Sequence, residues 1–101
     1  MMAQTEGERR PHNLQELEAF MVRTAMDSMV EMGIDRGRLL RLATAGQLAS
    51  RLAVLSRDTI PAVEWAAAVT GVELDADQTA DLAATAVLRA ARLILGGGGV
   101  S

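Results

Sequence analysis

Hydrophobic periodicity divides this chain into four helices, three of which have almost no polar side. That excess of apolar helix surface limits the possible architectures more than any other feature. A helix that is apolar nearly all round must be covered on more than one side. Turned at about 100° per residue, the last helix places Gln78, Asp81, Thr85, Arg89 and Arg92 on one narrow stripe. Leu82, Ala83, Ala86, Val87, Leu88, Ala90, Leu93, Ile94 and Leu95 fill nearly everything else.

Local signals set the expected boundaries. Asn13 with Glu16 three residues later resembles a capping box, and Gly33 supplies a stop, so the first helix is predicted over about 14–32. Asp35 offers the next N-cap, for a helix over about 36–57 in which Leu42, Gly46, Ala49 and Ala53 form a small-residue stripe suited to close helix approach. Pro61 reads as the first turn of a short helix over about 61–70, ended by Gly71. Asp75 with Gln78 opens the fourth, over about 76–95, which stops at Gly96. The fold class expected is all-α, a small four-helix bundle over residues 13–95, with a disordered arm at 1–12 and a flexible Gly-rich tail at 96–101. With 101 residues there is material for one core only. Phe20 and Trp65 are the only aromatics, so that core must be built from Ala, Leu, Val, Met and Ile, a mixture that favours helices over strands.

Charge and residue types narrow the function classes. The net charge of −3 opposes binding that works by neutralising phosphates, so no nucleic-acid partner is expected. The absence of cysteine removes disulfides and thiolate chemistry. No charge-free run approaches the ~20 residues of a membrane span, and no signal-peptide core is visible, so a soluble, cytoplasmic protein is expected.

Possible sites reduce to simpler readings. Asp75, Asp77, Thr79 and Asp81 alternate like the start of a calcium loop, but Ala80 stands where glycine is needed and Ala86 where a bidentate glutamate is needed. Capping and first-turn acids account for them. His12 has no second ligand, and Ser28, Ser50 and Ser56 have no histidine at helical spacing, so neither a metal, a cofactor nor an enzymatic activity is expected. A helix-turn-helix around Gly71 is opposed by Asp75, Asp77 and Asp81 on the would-be recognition helix, which leaves a DNA-associated regulator as the weakest alternative.

The stretch from Trp65 to Arg92, beginning Trp-Ala-Ala-Ala-Val-Thr-Gly-Val-Glu-Leu-Asp-Ala-Asp and ending in an Ala-rich, Arg-terminated helix, resembles small helical accessory subunits of amidase complexes, the AtzG-like type. The resemblance covers under a third of the chain and implies a non-catalytic subunit packed on an enzyme partner.

A four-helix monomer of this size cannot cover three apolar helices and the spare residues of the first as well. The expectation is therefore a non-enzymatic protein that works by protein–protein association, as a homo-oligomer, most simply a homodimer, or as an accessory subunit. The contact residues expected are Phe20, Met26 and Val30 on the first helix and Leu48, Leu52 and Leu55 on the second side of the next. Trp65 serves either as an interface anchor or as core. The alternative is a bundle that holds a small apolar ligand between helices lined by Ala and Gly.

Overall fold

The computed structural model describes residues 2–96, with side chains described from Leu14 onward. Four helices follow one another: α1 (Met2–Glu31), α2 (Arg36–Thr44), α3 (Leu48–Thr70) and α4 (Ala76–Leu95). The described residues contain no strand, so the chain is an all-α, four-helix bundle. α1, α3 and α4 form the main body, and the short α2 closes one end against α3 and α4.

Three boundaries differ from the expected ones. The helix expected to start beside Asn13 has backbone reaching back to Met2, through a stretch that includes Gly7 and Pro11. The arm expected over 1–12 falls where no side chain is described, and the tail beyond Gly96 lies outside the described residues.

The helix expected over 36–57 is broken at Gly46. This glycine sits at φ +74°, where its N–H donates to the Ala43 carbonyl (3.0 Å) and the Gln47 N–H donates to the Leu42 carbonyl (2.8 Å). That pair of bonds is the left-handed turn that closes a helix and satisfies its last carbonyls. Gly46 therefore ends α2 instead of letting two helices approach. With no neighbour within 4 Å of where its Cβ would be, no close packing explains it. Ala49 and Ala53, expected on its stripe, are exposed.

Pro61 does not begin a helix; it lies inside α3. Proline removes the bond to the carbonyl four residues back, here that of Arg57. Both residues are on the exposed side of α3, where water can take that bond.

The fourth helix matches its expected start. Asp75 accepts from the Gln78 N–H (2.7 Å) while the Gln78 side chain accepts from the Asp75 N–H (2.9 Å). The carboxylate considered for calcium is thus the reciprocal cap of α4.

Packing converges on α4, which contacts α1, α2 and α3. Ala83, Ala86 and Ala90 are fully buried on it, and these small side chains let the neighbouring backbones come close. One group of core residues joins Leu17 and Met21 of α1 to Val63, Ala66 and Ala67 of α3 and to Leu82, Ala83 and Ala86 of α4. A second joins Ala25, Met29, Ile34, Leu39 and Leu55 to Val87, Ala90 and Ala91. Polar groups on the inner side of α3 are satisfied locally: Ser56 Oγ donates to the Leu52 carbonyl (2.8 Å) and Thr59 Oγ1 to that of Leu55 (2.7 Å). No buried side-chain nitrogen or oxygen among the described residues lacks a partner. Two polar links tie α4 outward, from Arg36 Nε to the Leu95 carbonyl (3.0 Å) and from Arg89 to Glu18 (3.4 Å).

Met21 is fully buried, so Met21→Ala is expected to cost about 2–5 kcal/mol in urea unfolding. Asp75→Ala, which removes only the cap, is expected to cost about 1 kcal/mol. Equal losses in the two variants would contradict this division between core and cap.

Candidate association surface

The side chains expected at an interface fall into three groups. Phe20, Val30 and Trp65 remain on the surface, with relative exposures of 47%, 66% and 63%. Met26, Leu48 and Leu52 are half-buried and pack against the second group of core residues. Leu55 is only 6% exposed, inside that core.

Leu55 is thus a correction to the expected contact set, and the break at Gly46 is its physical reason. Once the chain turns there, the Leu48, Leu52 and Leu55 side of α3 faces the C-terminal half of α4, including Val87, Ala90 and Ala91. The surface that seemed spare in a straight helix over 36–57 is used within one molecule.

Trp65 is resolved in favour of the surface. Reading α3 as one helix from Leu48 to Thr70, Val54, Pro61, Trp65 and Val69 lie within one outward sector, and all four are exposed. Val69, 65% exposed, was not among the expected contact residues. Val69 lies one turn beyond Trp65 on the same sector even within the short helix expected over 61–70, so helical spacing from Trp65 was the signal for it.

The outward sector of α3 borders a groove against α1. Thr24, Ala25, Ser28, Glu31 and Met32 form one wall, and Leu55, Asp58, Thr59 and Ala62 the other. Helical register extends both walls beyond the end of the groove: Phe20 lies four residues before Thr24, while Trp65 and Val69 lie seven beyond Asp58 and Ala62. Phe20, Trp65 and Val69 are exposed on the same two helices, outside the lining of this groove, which carries the acids Glu31 and Asp58. A second groove, between α1 and α4, has Ala19, Val22 and Leu93 along it with Arg89 and Arg92 at its edge.

The described residues hold no group of His, Cys, Asp or Glu that could bind a metal ion. No helix among them is long and apolar enough to cross a membrane. No protein-family model, curated protein or solved structure matches this chain.

Trp65 is the only tryptophan, so its fluorescence reports on this surface alone. In dilute solution its emission is expected to be red-shifted and quenched by iodide, as for an indole facing water. A blue-shifted, iodide-resistant spectrum under those conditions would place Trp65 in the core instead.

Proposed function

We propose that this chain is a non-enzymatic helical protein that acts through protein–protein association, as a homodimer or as an accessory subunit of a larger assembly in the cytoplasm. The observation that carries the reading is the large apolar side chains left outside a core that is already filled. Phe20, Val30, Trp65 and Val69 are each about half exposed or more, and each belongs to α1 or α3. Scattered apolar residues are ordinary on a protein surface, whereas large ones that recur in one sector of a helix, as Val54, Trp65 and Val69 do on α3, are the pattern of a contact region. Tryptophan and phenylalanine give such regions much of their binding energy.

The mechanism is burial of these faces against another chain, with the core of the bundle as a rigid support. Trp65 and Val69 point outward, so their loss leaves the internal packing in place.

Sedimentation velocity and native mass spectrometry test the reading, applied to the purified chain and to the chain recovered from its own host. A particle holding a second polypeptide, identical or different, is expected. Replacing Trp65 and Val69 together by Ser should weaken the contact made by that face while keeping the helical circular dichroism and changing the unfolding free energy by no more than about 1 kcal/mol. A lone chain in both preparations at every concentration would overturn the proposal.

A further inference from the structure

The outward side of α4 carries a pattern that complements itself. Asp77, Ala80, Asp81, Leu88 and Arg92 are exposed along it, with Ala84 half-buried among them. Asp77, Gln78, Ala80, Asp81 and Ala84 form a shallow depression at its N-terminal half. Leu88, one turn beyond Ala84, is 51% exposed. No ion pair joins Asp77, Asp81 or Arg92 to another described residue.

We propose that a second copy of this chain docks on this face, antiparallel, about a two-fold axis that crosses α4 midway between Ala84 and Leu88. The geometry follows from the 1.5 Å rise per residue. When Leu88 of one copy lies over Ala84 of the other, Arg92 falls opposite Ala80, one residue from Asp81 and three from Asp77. The two-fold repeats the contact, so both arginines meet both acidic pairs. A parallel copy would instead put acid against acid and arginine against arginine. The helix dipole accounts for acids at the start of α4 and arginines at its end. It does not account for the exposed Leu88, one turn beyond Ala84, which the antiparallel arrangement sets over the depression of the second copy. The inference rests on the association reading and names the face used for self-association; the Phe20, Trp65 and Val69 surface of α1 and α3 is left free for a further chain.

The test is a charge exchange followed by sedimentation equilibrium in low salt. Arg92→Glu and Asp81→Arg are each expected to weaken the dimer about tenfold or more, because each replaces two attractions by two repulsions. Mixing the two single variants should restore near wild-type affinity, since the heterodimer regains opposite charges at both ends. Added salt should weaken the wild-type dimer. Circular dichroism on each variant checks that α4 is intact. A dimer that keeps its affinity in both single variants overturns the α4 assignment and leaves the association reading standing. Weakened variants that fail to recover on mixing also overturn it. A wild-type chain that stays monomeric excludes the two-fold docking, and whether a different chain is retained then decides the broader reading separately.

Discussion

The structure depends on the narrowness of α4 at its centre. Ala83, Ala86, Ala90 and Ala91 make up most of its buried side, with Thr79, Leu82 and Val87 among them, and α1, α2 and α3 all contact it. Helices approach as closely as the side chains between them allow. The larger residues that fill the interior are Leu82 and Val87 of α4 itself together with those of its neighbours: Leu17, Met21 and Met29 of α1, Leu39 of α2 and Val63 of α3. Exchanging one of the central alanines for a larger residue would push on several helices at once, because interiors are packed tightly and strain is transmitted.

This economy explains why so much apolar surface stays outside. A central helix lined with alanine supports a slender core, and 101 residues provide only one layer of helices around it. Each surrounding helix turns one sector inward and has another left over. On α1 and α3 the residues left outside include Phe20, Val30, Trp65 and Val69, and α4 itself leaves Leu88 exposed on its outward side and Leu93 beside α1. The same constraint thus produces both the fold and the surfaces through which association is proposed.

Much of the architecture was legible from local chemistry. The stops at Gly33 and Gly71, the cap at Asp35 and the reciprocal cap of Asp75 with Gln78 lie where sequence signals place them. Phe20 and Val30 stand off the main stripe of α1 and are exposed, as their angular positions imply. Gly46 and Pro61 misled for opposite reasons. A glycine inside a periodic stretch can lower the bulk of a helix face or end the helix, and only its φ distinguishes the two. A proline can open a helix or sit within one when the carbonyl it leaves free faces water. These two residues moved the boundary between α2 and α3, and with it the environment of Leu55.

The sequence by itself determined that the chain is helical, where the helices before Gly33 and Gly71 end and where those after Asp35 and Asp75 begin, and that it carries more apolar surface than one small core absorbs. Those properties follow from propensity, capping and periodicity, which act over a few residues. Only the tertiary structure decided which apolar residues are the surplus ones. Leu55 went inward and Val69 outward because the turn at Gly46 and the unbroken course of α3 through Pro61 fix how that helix is rotated against α4. Rotation of one helix against another is a property of the packed assembly that no stretch of the chain encodes alone.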